Sequence, residues 1–331
     1  MVREQIEQFC ASLGLDTVGF IPCRKFEELR SFYEKRKQNG QENEFEEADI
    51  EKRIRPAHYM EGAKTIISIA FPYFDGAQKD NGFSIYTKRA DYHRVVREYL
   101  DQVVSFIEGL GGKGMAFVDS NTLPERYLAY LAGNGFIGRN NMLITKHYGS
   151  YVFLGEIITD LEIRCEDTRT FGEIADYKEC GECRRCYGEC PTKSINPAKI
   201  SPNICLSYLT QKKEITDQEI SLLRGNVFGC DFCQLKCPYN EEAKVSPLAK
   251  FQAFDFMNEE SDVYAKMDNR YFKEKINTTS CGWRGKNVIK RNALIRLARE
   301  GYDLTPYVTE AEYVNKYIDR IQNMGKTDNH C

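Results

Sequence analysis

The chain has 331 residues but only one tryptophan and four histidines, and its formal net charge is only −3. A chain this close to neutral shows no overall charge bias towards nucleic acid. No run of about 18 apolar residues occurs, so we expect no membrane span. The first residues lack the apolar core of a secretory signal and a twin-arginine pair. We therefore expect a cytoplasmic protein.

Cysteine, in contrast, is abundant, and eight of the thirteen cysteines fall within residues 180–237. Residues 180–191 read C-x2-C-x2-C-x3-C-P, residues 230–238 read C-x2-C-x3-C-P, and Cys205 lies between them. The first spacing is that of bacterial ferredoxins with two [4Fe–4S] clusters, which need eight thiolates. Sets of four cysteines also hold structural zinc. Zinc ribbons rarely need this run or its prolines, so the pattern favours iron–sulfur clusters.

The cysteine that precedes proline in such a run binds the other cluster. This crossing predicts two ligand sets. The first cluster takes Cys180, Cys183, Cys186 and Cys237, and the second takes Cys190, Cys205, Cys230 and Cys233. We interpret the remaining cysteines as free, mostly buried thiols. They are Cys10, Cys23, Cys165, Cys281 and Cys331.

The N-terminal half contains signals for both strands and helices. Residues 65–71 form a continuous apolar, β-branched run, which is typical of a buried strand. Residues 92–110 carry apolar side chains at helical spacing, and glycines follow. Residues 150–159 indicate another long strand. Together these signals predict an α+β layer fold.

Strand signals fade beyond residue 246, where segments 252–258, 262–276, 286–299 and 309–324 look helical. The sequence therefore predicts three consecutive domains. They are an α+β domain (1–167), a ferredoxin-like domain with two [4Fe–4S] clusters (168–245) and a short all-α tail (246–331).

Several strings resemble the epoxyqueuosine reductase family, whose members depend on cobalamin and iron–sulfur clusters. The cysteine runs alone indicate only a ferredoxin-like domain, whereas the set of strings is specific and covers about residues 14–298. The strings are AKTIISIAFPY (63–73), KRADYH (88–93), VDS (118–120), GFIGRNNMLI (135–144), CLSYLT (205–210), GCDFCQLKCPYN (229–240) and KRNA (290–293).

The resemblance implies a cobalamin-binding N-terminal domain, a two-cluster domain and a helical tail with HEAT-type repeats. It implies reduction of the epoxide of epoxyqueuosine in tRNA to queuosine, with cob(I)alamin fed by the clusters. The expected partners are the tRNA anticodon stem-loop and an external low-potential electron donor, and we expect a monomer. The chain departs from the family in its short tail and in Phe136 and Arg139, where the family usually has Trp and Lys.

The resemblance also implies functional residues. Asp119, in V-D-S, matches the family's proton donor, and donation near neutral pH requires a raised pKa. No D-x-H-x-x-G cobalamin signature is present, which agrees with base-off binding. The glycines of residues 135–141 would let backbone amides approach a cofactor, although a plain connector would look the same. The candidate cofactor contacts are Tyr86, Arg89, His93, Gly135, Phe136, Ile137, Gly138, Arg139, Asn140 and Asn141.

Two other functions stay open at this point. One is a corrinoid iron–sulfur reductase of a small molecule, similar to a reductive dehalogenase. The other is a non-catalytic electron-transfer protein with two clusters, which would leave the N-terminal domain unexplained. Basic residues also crowd residues 88–97 and 284–299, where they could neutralise phosphates or simply cover solvated helix surfaces.

Overall fold

The structure, a computed structural model, describes residues 1–76 and 79–327. Two compact units make up the chain. The first unit comprises Met1–Asp75, Tyr92–Tyr187 and Gln234–Phe251, and the second comprises Gly76–Asp91, Gly188–Cys233 and Gln252–Cys331. Both units are therefore assembled from separate segments, whereas the sequence predicts three consecutive domains. Cys331 lies outside the described residues.

Among the described residues, the regular elements are six strands and fifteen α-helices. The strands are β1 (Val18–Pro22), β2 (Thr65–Pro72), β3 (Gly114–Phe117), β4 (Phe136–Ile137), β5 (Leu143–Ile144) and β6 (Val152–Thr159). The helices are α1 (Val2–Ser12), α2 (Arg30–Gln38), α3 (Ile50–Ile54), α4 (Tyr92–Gly109), α5 (Glu125–Leu131), α6 (Phe171–Ile174), α7 (Arg185–Glu189), α8 (Leu206–Leu209), α9 (Asp217–Leu222), α10 (Phe232–Leu235), α11 (Pro238–Glu241), α12 (Ser261–Lys266), α13 (Asn269–Glu274), α14 (Lys286–Arg299) and α15 (Glu312–Thr327). Within the described part of the chain, no helix combines the length and the apolar content that crossing a membrane requires.

A four-stranded antiparallel sheet with the order β1-β2-β6-β3 forms the centre of the first unit. Helices cover both faces. Val96 and Leu100 of α4 pack against Gly155 of β6. Ile158 lies three strand positions further, on the opposite face, and shares a core with Leu128 of α5. Because neither face is solvated, β2 is buried along its whole length, which explains its continuous apolar sequence.

Helix α14 lies at the core of the second unit and is buried on nearly all sides. Its polar residues Arg291 and Asn292 are also fully buried. Arg291 donates to the carbonyls of residues 212 and 213 at 2.8 and 2.7 Å. Asn292 donates to the carbonyls of Thr210 and Val227 at 2.8 and 2.7 Å. The K-R-N-A string is therefore a buried hydrogen-bonding element that satisfies loop carbonyls.

The basic stretches of the sequence are consequently only partly exposed. Lys290 and Arg291 are buried within α14, and Lys88 and Arg89 have no exposed surface. Burial lowers the pKa of Lys88 to about 8, and its ammonium group donates to the Asn258 side chain at 3.1 Å. These four cations do not contribute to a surface that could neutralise phosphates.

Candidate functional site

The four cysteines predicted to hold the first cluster line one cavity of the first unit. Cys180 and Cys183 lie on the loop before α7, Cys186 lies in the first turn of α7, and Cys237 immediately precedes α11. Burial, followed by the neighbouring thiol of Cys180, raises the pKa of Cys186 to about 11. Burial and the same neighbour also raise the pKa of Cys237. The fold thus brings the distant Cys237 to the three cysteines of the first run.

The four cysteines predicted for the second cluster all belong to the second unit. Burial raises the pKa of Cys205, and the charge of Cys190 adds to this effect. Burial likewise raises the pKa of Cys230, with contributions from Cys205 and Cys233. The thiols of the second ligand set therefore interact electrostatically with one another.

Cys190 differs from the other cysteines of its set. Burial alone would raise its pKa, but the hydroxyl groups of Ser194 and Thr192, each 3.7 Å from its sulfur, hold the pKa below the usual value. Stabilisation of a thiolate suits a ligand of iron, because the thiolate is the form that binds metal.

All cysteines in the described part of the chain are free thiols. Within residues 1–76 and 79–327, no group of three His, Cys, Asp or Glu side chains is placed to hold a single metal ion. Each thiolate of a [4Fe–4S] cluster binds a different iron atom, so this finding does not bear on the cluster prediction.

Asp119 follows β3 and adopts a left-handed backbone conformation with φ 50°. Its Oδ2 accepts a hydrogen bond from the Tyr92 hydroxyl and lies 3.2 Å from Nε2 of His93. The Tyr92 ring stacks on Phe153 of β6 with 4.4 Å between ring centroids. Tyr92 and His93 begin α4, so the first turn of this helix and the sheet together position the carboxylate.

The hydrogen bonds decide the charge of Asp119 in this structure. Desolvation raises its pKa, but the hydrogen bonds from His93 and Tyr92 outweigh that effect and hold the pKa below its usual value. The side chain is 54% exposed, so water also stabilises the anion. This direction is opposite to the raised pKa that we expected for a proton donor.

Two further carboxyl groups lie behind Asp119. Glu125, the first residue of α5, accepts a hydrogen bond from the Asn121 side chain at 2.8 Å and another from the backbone N–H of Asp119. Burial, followed by the charge of Asp119, raises the pKa of Glu125 to about 7. Glu125 thus holds the backbone of the turn that carries Asp119.

The deeper of the two carboxyl groups belongs to Glu156 of β6, which has no exposed surface. The Ser68 hydroxyl donates to its Oε1 at 3.3 Å, whereas Oε2 has no hydrogen-bond partner among the described residues. Burial, followed by the charge of Glu125, raises the pKa of Glu156 well above its usual value. Neither glutamate was predicted as a site residue from the sequence. The available signal was a single charged residue in the apolar strand SYVFLGEIIT.

The glycine-rich turn that we predicted as a cofactor cradle is a short hairpin of β4 and β5. A Cβ atom at Gly135 would lie 2.3 Å from the carbonyl oxygen of Ile144, and one at Gly138 would lie 2.6 Å from the Ile144 side chain. The close approach of the two strands therefore accounts for both glycines. Arg126 donates to the carbonyl of Asn141, which has φ 61°. A role of this turn in cobalamin binding stays a prediction.

The same hairpin adjoins the cavity of the first cysteine set. Arg139 and Asn140 line this cavity, and the Phe136 ring contacts Tyr239 of the cavity wall edge-on at 5.0 Å. Ile137 of β4 pairs with Leu143. The predicted cradle residues thus lie beside the first cluster site.

Arg139, which lines this cavity, carries a buried hydrogen-bond donor that has no partner among the described residues. The Nη2 atom of Arg139 donates to the carbonyl of Gly181 at 2.8 Å, and its guanidinium lies 4.8 Å from the Tyr177 ring centroid. Its Nε is buried and has no hydrogen-bond partner among the described residues. A spare N–H donor and four thiols are what a [4Fe–4S] cluster can use, because its sulfurs accept hydrogen bonds. The residues of the cavity therefore fit a cluster.

Tyr86 and Arg89 lie beside the second cysteine set. A Cβ atom at Gly229 would lie 3.0 Å from the Tyr86 ring, and Gly229 directly precedes Cys230. Arg89 is fully buried and donates from Nε to the carbonyl of Ile85 at 3.1 Å. Contacts of Tyr86, Arg89 or His93 with cobalamin stay predictions.

The carboxylate of Asp231 fastens this segment to the cysteine loop. Its oxygens accept from the Ser84 hydroxyl and from the backbone N–H of Ile85, the latter at 2.7 Å. The segment 84–89 is thereby held beside Cys230 and the start of α10 within the second unit.

Two family models match the chain. One, the 4Fe-4S double cluster binding domain, matches residues 179–240, and the other, epoxyqueuosine reductase QueG, DUF1730, matches residues 53–120. The epoxyqueuosine reductase of Lactococcus garvieae is 33% identical over 309 residues, which cover 89% of this chain and 86% of the relative. The Bacillus subtilis epoxyqueuosine reductase is 34% identical over 320 residues, which cover 90% and 79%.

Solved structures show the same likeness. A crystal structure of epoxyqueuosine reductase with an epoxyqueuosine-modified tRNA-Tyr stem loop is 29% identical, with a TM-score of 0.87, and covers 97% of this chain and 90% of that chain. A structure of the Bacillus subtilis enzyme, with an aspartate-bearing catalytic loop swung out of the active site, has a TM-score of 0.84 at 28% identity and the same coverage. These matches confirm the expected α+β fold and double-cluster domain, whereas the HEAT-like tail stays a prediction.

Proposed function

Because this chain belongs to the epoxyqueuosine reductase family of oxidoreductases, we propose that it reduces the epoxide of epoxyqueuosine in tRNA to give queuosine. The reaction converts the epoxide to an alkene and water and consumes two electrons and two protons. The family uses cobalamin and two [4Fe–4S] clusters; the clusters supply single electrons and cobalamin supplies a cobalt nucleophile. The observation that carries the proposal is the likeness, over 97% of the chain, to a reductase crystallised with a modified tRNA stem loop.

For the clusters, we propose the two ligand sets that the crossing rule predicts. The cavity shared by Cys180, Cys183, Cys186 and Cys237 supports the first set. The electrostatic interaction of Cys205 with Cys190 and Cys230 supports the second. Anaerobically purified protein should then contain about eight iron atoms per chain, and four or fewer would contradict the two sets.

Asp119 is the residue that we propose as the proton donor. Its position after β3, its left-handed backbone and its contacts with Tyr92 and His93 support this role. As arranged here the carboxylate is an anion, so it must take up a proton before it can donate one. A substrate bound over this half-exposed carboxylate would exclude water and raise its pKa. His93, partly exposed and within 3.2 Å, is suited to pass a proton from solvent to Asp119.

The tRNA stem loop is the partner that we propose, as crystallised with the related reductase. Two of the basic residues in the 284–299 stretch, Lys290 and Arg291, are buried, so contacts with phosphate require other cations. The exposed Arg94 of α4 is one candidate in the first unit.

The decisive experiment is nucleoside mass spectrometry of tRNA that contains epoxyqueuosine, after incubation with the holoenzyme and a low-potential reductant. We expect queuosine to appear with the wild type. Asp119→Asn should slow turnover by about 100-fold or more, because it removes a general acid, while iron and corrin contents stay unchanged. The matched control is Asp101→Asn, an exposed aspartate of α4 paired with Arg97, which should keep wild-type turnover.

Two results would contradict these proposals separately. If the epoxide persists while the wild-type enzyme retains both cofactors and oxidises the reductant, tRNA-bound epoxyqueuosine is not the substrate. If queuosine forms at the same rate in Asp119→Asn as in the wild type, Asp119 is not the donor, although the overall function stands.

A further inference from the structure

One N–H group of the Arg139 guanidinium has no hydrogen-bond partner among the described residues. Its Nη2 is fixed on the carbonyl of Gly181, which lies between Cys180 and Cys183 in the ligand loop. The stacking partner Tyr177 holds the plane of the group. The buried Nε donor is left without a hydrogen-bond partner among the described residues. A buried donor of this kind is costly unless a ligand accepts its hydrogen bond.

The acceptor can be identified from the lining of the cavity. Arg139 shares this cavity with the thiols of Cys180, Cys183, Cys186 and Cys237. A [4Fe–4S] cluster held by these thiols carries sulfurs that accept N–H hydrogen bonds, and such bonds help to set its reduction potential. The bond strengthens when the cluster gains an electron, because the sulfurs become more negative. It therefore favours the reduced cluster.

We propose that Nε–H of Arg139 donates a hydrogen bond to a sulfur of the first cluster and raises the reduction potential of that cluster. This inference rests on the proposed function only through the first ligand set. Arg139 is a positioning residue for electron transfer, since it acts through the cluster and touches no reacting atom of the substrate.

The test is a redox titration of anaerobic holoenzyme followed by electron paramagnetic resonance, which resolves the two clusters as separate one-electron steps. Arg139→Gln removes both the charge and the Nε donor, whereas Arg139→Lys keeps the charge and places a methylene group where the Nε donor stands. We expect both variants to shift the reduction equilibrium of one cluster about tenfold towards the oxidised form, which is about 59 mV for one electron. The second cluster serves as an internal control and should not shift.

A second arginine of the same cavity provides the matched control. Arg185 pairs with Glu241 at 3.0 Å and is 58% exposed, so its charge is screened by solvent. Arg185→Gln should leave both potentials unchanged. A wild-type potential in Arg139→Lys would overturn the proposal, because the charge alone would then account for any effect in Arg139→Gln.

Loss of the first cluster in the Arg139 variants would not end the test, because the wild type carries its own readout. In protein labelled with ¹⁵N at Nε of arginine, pulsed resonance of the reduced enzyme should show a ¹⁵N coupling to one cluster. Absence of that coupling overturns the proposal. Four or fewer irons in the wild type would instead refute the ligand sets of the proposed function, whereas about eight irons with unshifted variant potentials refute only the role of Arg139.

Discussion

Glu156 is buried in the middle of the sheet, and its replacement by glutamine should stabilise the protein at neutral pH. Its neighbours across the strands are Ser68 of β2 and Phe117 of β3, and it has no exposed surface. Burial and the charge of Glu125 raise its pKa well above the usual value. We therefore expect the folded protein to keep this carboxyl group protonated at pH 7.

The magnitude follows from proton linkage. In the unfolded chain a glutamate ionises near pH 4.3, and each pH unit is equivalent to about 1.36 kcal/mol. Since the pKa of Glu156 is raised on folding, its contribution is fully present below pH 4.3 and is lost as the pH rises towards the folded pKa. While the carboxyl group keeps its proton, each pH unit above 4.3 costs about 1.36 kcal/mol. Glutamine has the same shape and no proton to retain, so Glu156→Gln removes this cost.

The assay is urea unfolding of wild type and variant under anaerobic conditions at pH 5, 6, 7 and 8. The variant's advantage in free energy of unfolding should grow by up to about 1.4 kcal/mol per pH unit between pH 5 and 7. The control is Glu162→Gln. Glu162 lies beyond the end of β6 and its side chain is 85% exposed, so the free energy of unfolding of this variant should stay within about 0.5 kcal/mol of the wild-type value. A difference between Glu156→Gln and wild type that does not change with pH would refute the reasoning, since it would place the ionised carboxylate in the core.

Asn240 and Tyr92 offer two further tests. Asn240 accepts the backbone N–H of Ser150 at 2.7 Å, so Asn240→Ala should lower the free energy of unfolding by about 1–3 kcal/mol, measured in urea with Glu242→Ala as a neutral control. Tyr92→Phe removes a hydrogen-bond donor that lowers the pKa of Asp119. The protonated form of Asp119 should therefore persist to higher pH in this variant. The pH profile of kcat should shift upwards, and an unchanged profile would show that this hydrogen bond does not control the donor.

Elements with a strong pattern over a long segment were predictable from the sequence. The helix expected at 92–110 is α4 (Tyr92–Gly109), and the helix expected at 286–299 has the same bounds as α14. Helical spacing identifies such segments because an apolar face must be buried. The helix expected at 262–276 is instead two helices, because Asp268 caps the second one by accepting from the N–H of Tyr271 at 2.7 Å.

Local capping was less predictable than the periodic patterns. Pro124 occupies the N-cap position of α5 and makes no side-chain cap, although Thr122, a residue type that often caps helices, stands two residues earlier. The Thr122 hydroxyl donates instead to the carbonyl of Lys52 at 3.1 Å. A partner seventy positions away in the chain outweighs the local cap, and nothing in the neighbouring sequence encodes it.

For the site, the sequence indicated residues but could not indicate their neighbours. The spacing of the cysteines and the V-D-S string singled out the thiols and Asp119. The pairing of β6 with β2 and β3, which buries Glu156, is not written in any local pattern. The glycines of the predicted cradle were recognised for the right property, close backbone approach, but the approaching group in this structure is Ile144 of the same hairpin.

The two-unit arrangement gives the crossing of the cysteines a physical reading. The chain leaves the first unit after Tyr187 and returns to it at Gln234. Every thiol of the first set falls outside this interval, and every thiol of the second set falls inside it. The division into units makes no use of ligand spacing, yet it partitions the eight cysteines in the same way as the ferredoxin rule. If each cluster is bound within one unit, Cys190 must therefore bind with the second set and Cys237 with the first.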